Sequence, residues 1–313
     1  MKRRILVTDP LAQAGLDLLH EHCQVDVHLR PSIEELCQLI APYDGLIVRS
    51  STRVSAPVIE AAERLVVIGR AGTGVDNIDL EAATRHGIVV VNAPMSNTVS
   101  VAEHTLALML ALARHIPQAN ASMHAGRWEK KALLGTELRG KTLGIIGLGR
   151  VGTAVAQRAH AFEMRLIAYD PFISPEKAQR LGVQLVDLET LLRQADYVSL
   201  HAPATERTRK MISKRELGLM KPTAYLINCA RGELLDEKAL LEALQSAQIA
   251  GAALDVLADE PHIQPALREC PNLILTPHLG ASTQEAQSSA ALEVARQVID
   301  VLEGRPPRYP VNV

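Results

Sequence analysis

Aromatic residues are scarce in this chain of 313 residues: Phe, Tyr and Trp together make up 3% of it, with a single Trp. The hydrophobic core must therefore consist mainly of Ala, Val, Leu and Ile. Cysteine is scarce too, and its four residues form no Cys-x-x-Cys pair and no cluster with His (Cys23, Cys37, Cys229 and Cys270). We therefore expect reduced thiols in a cytoplasmic protein, and no metal site.

The chain also lacks an excess of positive charge and any long apolar segment. Its formal net charge is -2 and its pI is about 6.6, so electrostatics gives no reason to expect a nucleic-acid partner. The longest apolar stretch, residues 106–113, lies between His104 and Arg114 and is too short to cross a bilayer. The apolar run after the N-terminus is too short for a signal peptide. We expect a small-molecule partner and no membrane partner.

What the chain does contain is a regular alternation of short apolar runs and helical patterns, which is typical of parallel sheets with helices on both faces. Predicted strands of a first series cover 4–8, 45–48, 65–68 and 88–91, with helices over 11–20 and after a capping box at Ser32 and Glu35. A long helix is predicted from 99 to about 117. A second series follows, with strands at 142–147, 166–170, 197–201, 224–228, 250–255 and 273–276 and a last helix at 283–302.

These two series predict an α/β protein with two doubly wound parallel-sheet domains. We expect a Rossmann-type cofactor domain over 98–283, inserted into a flavodoxin-like substrate-binding domain made of 1–97 and 284–313. The active site should then lie in the cleft, at the carboxyl ends of the strands.

The most informative motif is Gly147-Leu-Gly149-Arg-Val-Gly152, which follows a predicted strand and begins a predicted helix. In dinucleotide-binding proteins the first glycine allows a tight turn, the second lets the pyrophosphate approach the backbone, and the third lets the helix pack on the strand. Asp170 lies 18 residues after Gly152, at the end of the next strand. An acid there binds the ribose 2′-OH and repels a 2′-phosphate, which favours NAD over NADP although Arg150 adds a nearby positive charge.

Three further side chains follow strands of the same series. Arg231, in Asn-Cys-Ala-Arg-Gly, can bind a carboxylate or a polarised carbonyl with two N–H donors. His278 follows the sixth strand, and its imidazole can take a hydroxyl proton near neutral pH. Glu260 can orient that imidazole and favour its protonated form. Each is unremarkable alone, but together they suit oxidation of an alcohol by hydride transfer.

These motifs resemble the D-2-hydroxyacid dehydrogenase family over the whole chain, and most closely its members that act on D-3-phosphoglycerate. The matching segments are 70–79, 147–152, 228–232, 252–256 and 277–283. The resemblance implies that Arg231, Glu260 and His278 are catalytic, with His278 as the acid and base. It implies NAD contacts at Thr73, Gly147, Gly149, Arg150, Val151, Gly152, Asp170, Ala202, Pro203, Cys229, Asp255, Gly280 and Ala281.

A phosphorylated substrate needs cations in addition to Arg231. The first domain offers Arg49 and Arg70 after two of its strands, and its glycine run adds backbone N–H donors for an anion. The resemblance implies substrate contacts at Arg49, Ser50, Arg70, Gly72, Asn97, Arg231 and His278. It also implies one at Lys130, which stands where some relatives carry Arg and would lack its bidentate geometry.

The resemblance therefore predicts oxidation of D-3-phosphoglycerate to 3-phosphohydroxypyruvate with NAD, a step of serine biosynthesis. A glyoxylate or hydroxypyruvate reductase, or another D-2-hydroxyacid dehydrogenase, is the alternative within the same chemistry. An NAD-sensing co-repressor-like binding protein is a remote alternative of another class. Many phosphoglycerate-specific members carry a further regulatory domain, and since this chain stops at Val313 we expect no serine feedback through one. The long helix resembles the dimer element of the family, which implies a homodimer or homotetramer.

Overall fold

The computed structural model describes residues 2–312, so the predicted domain limits at residues 1 and 313 lie outside it. The chain divides into two compact units. One consists of the residues up to Asn97 together with those from Ala281 onward, and the other is Thr98–Gly280. The second unit is thus inserted into the first.

The first unit is built on a five-stranded parallel sheet in the order β2-β1-β3-β4-β5. Its strands are β1 (Arg4–Val7), β2 (Gln24–Val27), β3 (Gly45–Val48), β4 (Val67–Arg70) and β5 (Val89–Asn92), and its first helices are α1 (Gln13–His22), α2 (Ile33–Leu39), α3 (Ala56–Glu60) and α4 (Leu80–Arg85). This strand order is that of flavodoxin-like sheets, so the predicted class of this unit is confirmed. The capping box at Ser32 and Glu35 begins α2 as predicted.

The second unit is built on a seven-stranded parallel sheet in the order β12-β11-β10-β9-β6-β7-β8. Its elements are α5 (Thr98–Ala113), α6 (Ile116–His124), β6 (Thr142–Ile146), α7 (Arg150–Ala161), β7 (Arg165–Tyr169), α8 (Pro175–Arg180), β8 (Gln184–Leu185), α9 (Leu188–Gln194), β9 (Tyr197–Leu200), α10 (Lys214–Leu217), β10 (Tyr225–Asn228), α11 (Glu237–Gln245), β11 (Gly251–Leu254), α12 (Pro265–Arg268) and β12 (Leu273–Leu275). The strand order reverses between β6 and β9, where open α/β sheets bind ligands.

The long helix predicted from 99 to about 117 is wrong, because the structure divides it. α5 ends at Ala113, His115 adopts a left-handed conformation with φ +51°, and α6 begins at Ile116. Pro117 lies in the first turn of α6, where its missing N–H costs nothing, whereas inside a continuous helix it would remove a hydrogen bond. The chain therefore turns before the proline.

The last helix of the chain, α13 (Gln284–Leu302), belongs to the first unit. The side chain of Thr283 caps its N-terminus by accepting a hydrogen bond from the backbone N–H of Ala286. Val294 and Val298 pack against the buried strand residues Ile5 and Ile47. α13 therefore completes the core on one face of the five-stranded sheet.

Candidate active site

The glycine turn between β6 and α7 has the geometry of a dinucleotide site. Gly147 has φ +93°, and a Cβ there would lie 2.8 Å from the carbonyl carbon and oxygen of His201. A Cβ on Gly152 would lie 2.1 Å from the carbonyl oxygen of Gly147, so the helix packs directly on the turn. A Cβ on Gly149 would meet no atom within 4 Å. The backbone at Gly149 is thus open, at the N-terminus of α7, where unpaired N–H groups attract phosphate.

Asp170 follows β7 and is tied to this turn. One carboxylate oxygen accepts a hydrogen bond from the backbone N–H of Leu148 at 2.7 Å, and the other accepts one from Phe172 at 2.9 Å. Each carboxylate oxygen can accept a second hydrogen bond, so a ribose diol can still be bound. The carboxylate is thus held in place beside the glycine turn, with the geometry expected for NAD.

The turn after β10 carries Arg231. Asn228, fully buried, accepts a hydrogen bond from the N–H of Ala230 at 3.0 Å and donates one to the carbonyl of Arg231 at 2.8 Å. This side chain therefore shapes the backbone from which Arg231 extends. Cys229 follows Asn228 in the same turn, and burial raises the pKa of its thiol to about 12. Cys229 is therefore a neutral thiol that can line a pocket but cannot act as a nucleophile.

Glu260 and His278, which the sequence predicts to be catalytic, lie in direct contact. Oε2 of Glu260 lies 2.8 Å from Nδ1 of His278, and its Oε1 accepts a hydrogen bond from the N–H of Leu257 at 2.9 Å. The hydrogen bond and charge of Glu260 raise the pKa of His278, although burial and the positive charge of Arg231 oppose the rise. Because Glu260 occupies Nδ1, Nε2 is the ring nitrogen that can exchange a proton with a substrate.

Asp255, which follows β11, is almost completely buried and hydrogen-bonds to the segment that carries His278. Burial raises its pKa, but hydrogen bonds from His104, Thr276 and the backbone outweigh burial, so the net shift is downward and the side chain is a carboxylate. Its own carbonyl oxygen also accepts a hydrogen bond from the N–H of His278 at 2.9 Å.

In the first unit, Arg49 and Ser50 lie in the loop that follows β3. The side chains of Asp9 and Asn77 hydrogen-bond to the backbone of this loop. A carboxylate oxygen of Asp9 accepts hydrogen bonds from the N–H groups of Arg49 at 2.5 Å and Thr52 at 3.2 Å. The amide of Asn77 donates to the carbonyls of the same two residues, at 2.7 and 2.6 Å. The backbone from which Arg49 extends is therefore fixed on both sides.

Arg70, Thr73 and Asn97 lie at the carboxyl ends of β4 and β5 in the same unit. A Cβ on Gly72 would lie 1.7 Å from Nη1 of Arg70, so the guanidinium packs directly over the glycine. The hydroxyl of Thr73 donates to Oδ1 of Asn97 at 3.0 Å, and Asn92 donates to the carbonyl of Thr73 at 2.6 Å. The structure therefore brings these predicted substrate and cofactor residues together at one edge of the sheet.

The other predicted contacts lie as follows. Ala202 and Pro203 follow β9, next to the glycine turn, and Gly280 and Ala281 follow His278. Lys130 lies in the exposed segment between α6 and β6, and its substrate contact stays a prediction.

The sequence did not predict the residues whose side chains support the backbone of the site. Asp9 and Asn77 fix the Arg49 loop, and His104 and Thr276 contact Asp255. Their only sequence signal is that polar residues stand at strand ends or interrupt an apolar helix. Among residues 2–312, no group of three or more His, Cys, Asp and Glu side chains is arranged to hold a metal ion. Within the same residues, every helix is too short or too polar to cross a membrane.

Comparison with known proteins gives the same picture of the second unit. Residues 106–280 match the family model described as D-isomer specific 2-hydroxyacid dehydrogenase, NAD binding domain. They include the glycine turn, Asp170, Arg231, Glu260 and His278.

Curated relatives match nearly all of this chain. A D-3-phosphoglycerate dehydrogenase of Synechocystis sp. is 52% identical over 99% of this chain and 56% of its own length. The human protein of that name is 49% identical over 97% of this chain and 57% of its own length. The chain thus spans little more than half the length of these relatives.

Solved structures align with nearly the whole of this chain and nearly the whole of their own. The TT0316 protein from Thermus thermophilus has a TM-score of 0.91 and 39% identity, covering 98% of this chain and 99% of its own. A glyoxylate reductase from Paecilomyes thermophila has a TM-score of 0.90 and 30% identity, covering 99% and 98%.

Proposed function

Because the chain belongs to the D-isomer specific 2-hydroxyacid dehydrogenase family, we propose that it oxidises D-3-phosphoglycerate to 3-phosphohydroxypyruvate with NAD, a step towards serine. The observation that carries the proposal is the 2.8 Å contact between Glu260 and His278 at the strand ends of an NAD-binding domain. The names of the curated relatives support the choice of substrate.

Bound NAD supplies the carbon that accepts the hydride. The glycine turn and Asp170 would hold it, since the open backbone at Gly149 suits a pyrophosphate and the carboxylate suits a ribose diol. His278 takes the substrate's hydroxyl proton on Nε2 as the hydride leaves the same carbon. Glu260 keeps the imidazole oriented through Nδ1 and stabilises the imidazolium that forms. Arg231 binds the substrate carboxylate and the developing carbonyl oxygen.

The first unit supplies cations for the remaining charge of the substrate. Arg49 and Arg70 lie at the carboxyl ends of neighbouring strands, and their side chains are only partly exposed. A phosphate group would accept charge-assisted hydrogen bonds from these guanidinium groups, and glycerate or lactate has no group that could take its place. These two guanidinium groups therefore favour a phosphorylated hydroxy acid over one without a second charged group.

The proposal is tested by following NADH formation with D-3-phosphoglycerate, D-glycerate, D-lactate and D-2-hydroxyglutarate, and NADH consumption with glyoxylate and hydroxypyruvate. His278→Ala should lower kcat by about 10²- to 10⁴-fold while NAD still binds. The exposed His262, changed to Ala, is the matched control. Arg70→Ala should reduce kcat/KM for phosphoglycerate more than for glycerate, with the exposed Arg53→Ala as control.

A preference for glyoxylate or hydroxypyruvate would contradict the substrate but keep the hydride chemistry. That outcome has structural support, because one similar solved structure is a glyoxylate reductase. An unchanged rate in His278→Ala would remove this residue from the mechanism.

The assembly and the location belong to the same proposal. We propose a homodimer or homotetramer, because large apolar side chains at Ile116, Met123, Trp128 and Leu134 are exposed within one stretch of the chain, and exposed apolar surface is typical of interaction sites. We propose a cytoplasmic location, because all four cysteines are free thiols.

A further inference from the structure

Asp255 has an unusually complete set of hydrogen-bond donors. Oδ1 accepts from the hydroxyl of Thr276 at 2.6 Å, from the N–H of Leu279 at 2.7 Å and from Nε2 of His104 at 3.1 Å. Oδ2 accepts from the N–H of Gly280 at 2.8 Å. Three donors therefore share Oδ1, and Oδ2 keeps one further acceptor position. Three of its four hydrogen bonds come from the segment around His278, and the fourth comes from His104.

The segment that Asp255 holds needs such support. His278 has φ +54°, in the left-handed region that a residue with a side chain rarely adopts. Asp255 accepts hydrogen bonds from Thr276, which precedes His278 in the chain, and from Leu279 and Gly280, which follow it. The position of the imidazole therefore depends on where this carboxylate is fixed.

His104 fixes it from α5, a different element. Its Nε2 lies 3.1 Å from Asp255 and 3.2 Å from the hydroxyl of Thr276, and its side chain is 19% exposed. The hydroxyl of Thr276 gives its proton to Asp255, so both neighbours of Nε2 act as acceptors and Nε2 carries a proton. His104 is thus a donor to a buried carboxylate, and the only one of the four donors named here that lies outside residues 276–280. Its removal would free the carboxylate to follow that segment.

We infer that His104 is a positioning residue for His278: it holds Asp255, and Asp255 holds the backbone of 276–280 that carries the catalytic imidazole. The inference rests on the proposed function, since it assigns a role within that reaction. The charges of Glu260, Asp255 and Arg231 all act on the pKa of His278. A shift of the His278 segment changes the distance of its imidazole from all three.

The experiment uses four single variants of the full chain. His104→Met removes the donor, His104→Gln places an amide N–H near the position of Nε2, and His104→Asn carries an amide that is too short to reach Asp255. His124→Met, at an exposed histidine in the last turn of α6, is the control. For each variant we would measure kcat, the Kd for NAD, the free energy of unfolding, and the pKa of the His278 ring by ¹⁵N NMR.

We expect kcat to fall by about 10- to 100-fold in His104→Met and His104→Asn, because a displacement of about 1 Å at a catalytic group has an effect of that size. The Kd for NAD should change little, and His104→Gln should recover most of the rate. The pKa of His278 should fall towards its ordinary value, because its contact with Glu260 is loosened. A merely structural role would lower the free energy of unfolding without this fall in pKa and without recovery by Gln.

Equal kcat in His104→Met and His124→Met would overturn the inference. If His104→Met does not fold, the comparison of His104→Gln with His104→Asn decides, and equal rates in these two overturn it. If the wild-type protein oxidises no hydroxy acid, the proposed function has failed. The NMR titration then decides alone, since an unchanged pKa of His278 in the His104 variants contradicts the positioning role.

Discussion

Alanine at Gly149 and alanine at Gly152 add the same methyl group three residues apart but should have different consequences. At Gly149 the added Cβ meets no atom within 4 Å, and φ is -72°, which alanine adopts readily. At Gly152 the added Cβ would lie 2.1 Å from the carbonyl oxygen of Gly147 and 3.2 Å from Cγ2 of Ile145. Ordinary contacts begin at 3.4 Å, so α7 must move away from the carbonyl oxygen of Gly147 by more than an ångström.

The expected magnitudes follow from these distances. Gly149→Ala changes only a helix N-cap and should lower the free energy of unfolding by at most about 1 kcal/mol. Its methyl group lies where the pyrophosphate must approach, so the Kd for NAD should rise by at least about tenfold, equivalent to about 1.4 kcal/mol. Gly152→Ala overpacks the helix against the turn and should lower the free energy of unfolding by about 1–3 kcal/mol. It should also weaken NAD binding, because the displaced helix carries its N–H donors with it.

The assay is urea unfolding of each variant without nucleotide, combined with titration of NAD by calorimetry. Gly149→Ala should separate the two quantities, with near-normal stability and poor binding, whereas Gly152→Ala should lower both. Normal NAD affinity in Gly149→Ala would refute the role of this turn in phosphate binding. Normal stability in Gly152→Ala would show that α7 is not packed on the turn as tightly as the structure describes.

Two further predictions concern the catalytic pair and cofactor choice. Oxidation requires neutral His278, so the rate of oxidation rises as the pH passes through the pKa of His278. Glu260 raises that pKa. Glu260→Gln should therefore shift the pH profile of kcat/KM to lower pH and reduce its plateau. An unmoved profile would mean that another group titrates. Asp170→Ala should raise the KM for NAD and allow NADP to be used, while Asp170→Asn should keep part of the ribose contact. If neither variant changes the preference between NAD and NADP, the ribose is held elsewhere.

The central strands and the glycine turn could be predicted from the sequence because they are buried on both faces and appear as uninterrupted apolar runs. Two strands were missed. β2 (Gln24–Val27) and β8 (Gln184–Leu185) carry exposed polar residues at sheet edges, so they have no continuous apolar signal. The break at His115 was missed because the apolar pattern of α5 gave no clear end before Pro117.

The proposed catalytic residues could be picked out from the sequence because their side chains stand in motifs at the ends of successive strands. The contacts of Asp255 with His104, and of Asp9 with Arg49, join residues more than a hundred or about forty positions apart. Such contacts depend on the packing of α5 against the sheet and on the shape of individual loops. The spacing of residues along the chain does not predict these contacts, so only the three-dimensional structure shows which polar residues support the site.

The insertion of one unit into the other also sets the order in which the protein can fold during synthesis. Ile5, Ile47 and Val67 are made early, but the residues that cover them, Val294 and Val298 on α13, are made only after the whole second unit. During synthesis, one apolar face of the five-stranded sheet therefore lacks the residues of α13 that cover it. At that stage the unit Thr98–Gly280 already has all of its own core residues. The nucleotide-binding unit should be the first to become resistant to protease in a nascent chain, reversing the usual N-terminal-first order.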